Sequence, residues 1–235
     1  MTRHEIESDR NFTDRQTFMS RVHEALESQP GRTITEPAPE VDQSFVRLCQ
    51  PSEDLPARFA VEADAVGMHV HRVASNALDD SLREILSTLQ CNSAALGIAD
   101  DSLREQISGT LADIGLDVLQ QHAGADRDAL FDADVAITDV DAALAETGSI
   151  ILSSGAHRSR ACHLTPPVHI ALVPSNKIVA DLIDYFGPSR DAENPQHGSA
   201  TVLITGPSKT ADIEGILITG VHGPGEVHLV IIDAT

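Results

Sequence analysis

The sequence predicts an α/β fold of three layers, a mostly parallel sheet with helices on both faces. Short aliphatic or β-branched runs alternate with segments of helical period, the pattern that strand–helix–strand units produce. Aromatic residues make up only 3% of the chain and Trp is absent, so the core must be assembled from Ala, Val, Ile and Leu. Such residues suit parallel strands buried on both faces. Asp and Gly stand where helices should begin and end.

Taken in order, Phe12 to Leu26 has helical period, with Thr13 and Gln16 placed as a capping box and Phe18, Val22, Ala25 and Leu26 on one face. Gln29 to Asp42 is rich in Pro, Thr and Glu and reads as a linker, so residues 1–42 form an arm and 43–235 the α/β domain. A helix is expected over Leu55 to Val66, closed by Gly67, followed by a strand from Met68 to Val73. Next come a helix (Leu78 to Leu89), a strand (Ala94 to Ala99), and a helix capped by Asp100 or Asp101 that stops at Gly115. Leu116 to Leu119 and Asp134 to Thr138 read as strands. Further strands are expected at Ser149 to Ser153, His169 to Val173, Thr201 to Thr205, Ile216 to Ile218 and Val227 to Ile232. Between the second and third of these, one helix is expected from Ile178 to Phe186, capped by Ser175 and stopped by Gly187 and Pro188. Asp191 to Gly198 reads as a loop.

Charge narrows the function. Lys plus Arg is 16 against Asp plus Glu at 36, a formal charge of −20, which repels phosphate backbones and anionic headgroups. Nucleic-acid and membrane binding are therefore not expected as the main activity. No apolar run approaches the roughly 18 residues of a membrane span, and Met1 to Asp14 lacks the apolar stretch of a secretory signal. Cys49, Cys91 and Cys162 are widely spaced and form no zinc or iron–sulfur pattern, consistent with a cytoplasmic protein. Neither a cofactor nor a metal is expected. GxGxxG, GxSxG, HExxH and CxxC are all absent.

Three Gly-bearing turns are the candidate chemistry. In the first, Glu146 precedes Thr147, Gly148 and Ser149 at a strand entry. There a carboxylate acts on a substrate hydroxyl, or the segment is simply a tight helix-to-strand turn. The second follows a strand: Gly206, Ser208, Lys209 and Thr210 offer groups for a phosphate or carboxylate, with Asp212 and Glu214 as acid, base or metal-ligand oxygens. It lacks P-loop spacing. In the third, His222 lies between Gly220 and Gly223, free to shuttle protons or to form a hairpin turn. Arg158, Arg160 and Lys177 are the nearest positive charge. His69 and His71 share a strand face as a metal pair would, with no third ligand nearby in the sequence. His157, His163 and His169 straddle Pro166 and Pro167 and read as surface or core residues.

Four segments in order, ALAETGS at 143–149, LTPPVHI at 164–170, ITGPSKTADIE at 204–214 and GVHGPG at 220–225, resemble the lactate-utilisation protein C family, also called the LUD domain. The likeness is strong from Asp134 onward and looser from Arg47 to Ala133. It implies a fold like the NagB, ribose-phosphate isomerase and CoA-transferase superfamily. It also implies a cluster-free component that works beside iron–sulfur partner proteins in oxidising lactate to pyruvate. Convergence of the three polar turns at one sheet edge adds the expectation that Glu146, Ser208 to Glu214 and His222 bind a small carboxylate or a partner protein. Two alternatives stand beside it: a free-standing enzyme acting on a phosphorylated or CoA-linked small molecule, and a purely structural assembly protein.

Overall fold

The computed structural model describes residues 15–28, 42, 45–120, 128–187, 200–211 and 215–233. The chain divides into two units, Met1–Phe45 and Val46–Thr235. In the first, helix α1 spans Arg15–Ser28. The expected cap at Thr13 and almost all of the expected linker lie outside the described residues.

The second unit begins with α2 (Leu55–Ala65), where the Asp54 carboxylate accepts the Ala57 N–H at 3.1 Å and Pro56 sits in the first turn. Gly67 ends it at φ +94°, a left-handed position that favours glycine. There follow β1 (His69–Ala74), α3 (Leu78–Leu89), β2 (Ser93–Gly97), α4 (Asp101–Asp113), β3 (Asp117–Gln120), β4 (Val135–Asp139), β5 (Ala142–Leu144) and β6 (Ser149–Ser153). Asp100 caps α4 by accepting the Leu103 N–H at 2.8 Å. The chain continues through β7 (Val168–Pro174), β8 (Ile178–Val179), α5 (Leu182–Phe186), β9 (Thr201–Ile204), β10 (Lys209–Thr210), β11 (Ile218–Thr219) and β12 (Glu226–Asp233).

Six strands form one parallel sheet in the order β1-β12-β7-β4-β2-β3. Along each strand, alternate residues face opposite sides. Leu96, Ile137, Ile170, Leu172 and Val230 meet Leu82, Leu86, Ile107 and Leu111 of α3 and α4. Each such buried side chain contributes about 1.5–3 kcal/mol. On the other face, Ala171, Val173, Leu229 and Ile231 meet Phe59 and Ala63 of α2 together with Ile150 and Leu152 of β6. The layered α/β fold with a mostly parallel sheet is therefore present, but α2 shares the second face with another sheet. That sheet has the order β8-β5-β6-β9, with β5–β6 and β6–β9 antiparallel. Tyr185 of α5 packs on its outer side with Ala142, Leu144 and Ile151.

Three expectations change. The Ile178 to Phe186 helix is instead a strand and a short helix. Ile178 and Val179 pair with β5, which suits β-branched side chains. Asp181, not Ser175, caps α5 by accepting the Ile183 and Asp184 N–H groups at 2.8 and 3.0 Å. The segment before Glu146 is strand β5 rather than a helix end, so the first turn closes a hairpin. Finally, the strand expected over Ile216 to Ile218 is only the two residues of β11, with Ile216 and Leu217 exposed before it. Among the described residues, no helix is long and apolar enough to cross a membrane.

Candidate functional site

Backbone bonds draw the second and third turns together. The Ser208 N–H donates to the Pro224 carbonyl at 2.8 Å, and the Gly220 N–H donates to the Ser208 carbonyl at 2.9 Å. The Gly225 N–H donates to the Pro167 carbonyl at 2.9 Å, fixing the third turn to the chain that enters β7. A chain of hydroxyls reaches the first turn: Thr147 Oγ1 lies 2.7 Å from Ser149 Oγ, which lies 2.6 Å from Thr205 Oγ1.

Between the second and third turns, β9 and the amino ends of β7 and β12 lies a cavity of about 220 Å³. Leu164, Val202, Ile204 and Val227 supply apolar wall, and His163, His169, Ser208 and His222 supply polar groups. His163 comes from a short 3-10 turn, Arg160–His163, and His169 from β7, with ring centroids 6.2 Å apart. Both are buried, at 1% and 0% exposure. Neither ring nitrogen of His163, nor Nδ1 of His169, has a hydrogen-bond partner among the described residues. His169 Nε2 is fixed 2.9 Å from the Thr138 hydroxyl. Buried polar atoms are nearly always partnered, so these unpartnered nitrogens beside the cavity mark a place where a water, or a ligand reached by a small turn of the ring, completes the bonding.

Burial lowers the pKa of His163 to about 4, and the positive charges of Arg158 and Arg160 add to the effect. Burial, with a smaller push from His163, lowers that of His169 to about 3. Both rings are neutral near pH 7, each with one N–H donor and one bare nitrogen acceptor. The cavity can thus hold a small, mostly apolar molecule bearing a hydroxyl, oxo or carboxyl group. It lies at the amino ends of the main strands, not at the carboxyl ends where open α/β sheets usually bind ligands. It also adjoins β9, a half-exposed strand of the second sheet. The carboxyl ends of β2 and β4 are occupied by the protein's own ion pair.

That pair involves Arg158, expected to meet substrate. Its guanidinium is buried, with Nη1 2.7 Å from Asp139 Oδ1 and 3.1 Å from the Asp139 carbonyl, Nε 2.9 Å from the Ser153 carbonyl, and Nη2 on Asp141. Asp139 also accepts the Ala99 and Asp100 N–H groups at 3.0 and 3.1 Å. Arg158 therefore clamps β4, β6 and the entry to α4.

The remaining expected site residues divide. Gly206, Ser208, His222 and Gly223 line the cavity. A Cβ on Gly206 would lie 2.7 Å from the Val66 carbonyl oxygen, at φ +91°, so glycine lets this turn lie against the end of α2. Gly148 plays the same part at the first turn: at φ +66°, a Cβ there would lie 2.3 Å from the Ala63 nitrogen. Ser149 is buried in the hydroxyl chain and Thr147 is exposed. Glu146 is half-buried, donates its N–H to the Ala180 carbonyl at 2.9 Å, and does not line the cavity. Its charge instead acts on Cys49, whose thiol is raised chiefly by burial. Lys177 Nζ donates to the Val140 carbonyl at 2.7 Å and Lys209 Nζ to the Val66 carbonyl at 3.3 Å. Arg160 is exposed and Thr210 sits in β10. Asp212 and Glu214 lie outside the described residues. His163, His169 and Thr205, which the spacing argument passed over, complete the cavity.

Comparison with known proteins places these features in a group. The model of the LUD domain matches residues 57–232. The lactate utilization protein C of Exiguobacterium sp. is 28% identical over 94% of this chain and 96% of its own length. That of Anoxybacillus flavithermus is 30% identical over 72% of this chain and 79% of its own. Among solved structures, a DUF162 family protein from Deinococcus radiodurans superposes with a TM-score of 0.56 at 21% identity, covering 76% of this chain and 96% of the other.

Proposed function

The chain belongs to the LUD-domain family, and we propose that it is the cluster-free component of a cytoplasmic lactate-utilisation system. In this reading it works beside iron–sulfur partner proteins in oxidising lactate to pyruvate, and holds a small hydroxy or oxo carboxylate in the cavity. The observation that carries the reading is the pair of buried neutral imidazoles, His163 and His169, brought against Ser208 and His222 by the Gly-rich turns. A lactate-sized molecule fits about 220 Å³, its methyl group meeting Leu164 or Val227 and its hydroxyl or oxo oxygen reaching an imidazole nitrogen after a small turn of the ring. His222, exposed at the mouth, can pass a proton to water. The three cysteines fall short of the four thiolates of an ordinary cluster, which supports a role beside partners that carry one.

A phosphorylated or CoA-linked substrate is less well served. It brings more negative charge and more bulk than a single small carboxylate, and among the described residues none of Arg158, Arg160, Lys177 and Lys209 lines the cavity. Arg158 is paired internally, and both lysines bond backbone carbonyls.

Lactate-dependent dye reduction in extracts of a strain lacking the gene tests the reading. The wild type and Glu146→Ala should restore it, whereas His163→Gln combined with Ser208→Ala should not, at equal protein level. Undiminished activity without the gene would sink the pathway assignment. Full rescue by the double variant would remove the cavity from it.

A further inference from the structure

On the opposite face of the main sheet, behind the cavity wall, lies a second cluster. Val227 points into the cavity side, and its neighbours Glu226 and His228 point to the other. Parallel pairing of β1 with β12 sets His69 directly beside His228. One ligand atom from each of His69, Glu226 and His228 lies within 4.8 Å of the others. His228 Nε2 is 2.8 Å from Glu226 Oε1, and His69 Nε2 is 3.6 Å from the same oxygen.

We propose that His69, Glu226 and His228 form a binding site for one divalent transition-metal ion of the zinc class. Ligands held at about 2.0–2.2 Å around a tetrahedral ion are separated from one another by about 3.4 Å, so the distances present bracket the required ones. His228, nearly buried, is the fixed ligand. His69 and Glu226 have side chains 57% and 40% exposed, free to make the small rotations that close the site and leaving a coordination position open to solvent.

His71 supplies the independent support. Its ring stacks on His228 with an interplanar angle of 9°, and its Nε2 lies 3.0 Å from His228 Nδ1. A metal-bound histidine nearly always gives its other ring N–H to an outer partner, which fixes the tautomer that leaves the ligating nitrogen bare. With an ion bound, His228 Nδ1–H donates to His71 Nε2 and leaves His228 Nε2 bare for the ion. Without the ion, the tautomers exchange: His71 donates to Nδ1, and Nε2–H donates to Glu226. The imidazole and carboxylate donors suit a borderline ion, and the formal charge of −20 favours a cation. His71 is thus a positioning residue and not a ligand.

The test is titration of the full, chelator-treated chain with Zn²⁺ against a chromogenic competitor, and with Co²⁺ followed by its visible absorption. One ion per chain is expected. Glu226→Gln and His69→Ala, both altering exposed side chains, should each weaken Zn²⁺ binding by about 100-fold or more while thermal melts show folded protein. His71→Phe should weaken it about 10–100-fold while keeping the stoichiometry, and should shift the Co²⁺ bands. His157→Ala, an exposed histidine elsewhere, should change nothing. Absence of saturable one-to-one binding in the wild type would overturn the proposal, as would unchanged affinity in folded Glu226→Gln and His69→Ala.

Discussion

Replacing Arg158 separates a structural clamp from a substrate-binding cation. Arg158→Met keeps most of the apolar stem and removes a guanidinium that is only 3% exposed. Breaking a buried ion pair from one side costs about 3–5 kcal/mol, because the partner charge is left stranded. Asp139 keeps two backbone donors, from Ala99 and Asp100, and Asp141 is 24% exposed and can rehydrate, so the lower end of that range applies. In a unit of this size each kcal/mol moves the midpoint by about 2–4 °C, giving an expected fall in Tm of about 6–12 °C. Adding Asp139→Asn removes the stranded charge and should return at least about 1 kcal/mol, a coupling that a double-mutant cycle reads directly. Calorimetric melts of the four proteins measure it. A fall below about 3 °C, with lactate-dependent activity lost as fully as in the His163 variant, would refute the clamp and make Arg158 a ligand-binding residue.

Gly148→Ala must push a Cβ into the backbone of α2 at a positive φ, and should destabilise by about 2–4 kcal/mol in urea unfolding. Phe59→Ala, emptying the core between α2 and the main sheet, should cost about 3–5 kcal/mol in the same assay. The pH dependence follows from the lowered pKa values of His163 and His169. Folding favours their neutral forms, so their contribution is complete above the unfolded value of 6.5 and is lost as pH falls from there toward about 4 and about 3. The slope is at most about 1.4 kcal/mol per pH unit for each ring, and His163→Gln should flatten the stability profile between pH 6.5 and 4.

Local physics made much of the main sheet readable. Leu78, Leu82, Ile85 and Leu86 repeat at helical spacing, and α3 spans the expected residues. Gly67 and Asp100 mark helix ends through backbone requirements that no distant contact alters. The second sheet was not readable: Ala142–Leu144 has no strand propensity of its own and becomes β5 only by pairing with β6 and β8. The two histidine clusters were hidden for the same reason. Pro166 and Pro167 separate His163 from His169 along the chain, yet the turn at Arg160–His163 folds one back over the other. His69 meets Glu226 and His228 only because β1, at the sheet edge, pairs with the last strand. Conversely, Glu146 stood beside a suggestive turn but does not line the cavity, and its N–H donates to the Ala180 carbonyl.

The most direct test of the cavity is to follow the histidine ring resonances by NMR while L-lactate or pyruvate is added to the intact protein. Saturable shifts confined to His163, His169 and His222 are expected, and they should be abolished in Ser208→Ala combined with His163→Gln. Saturable shifts at other histidines, with these three unmoved, would contradict that expectation.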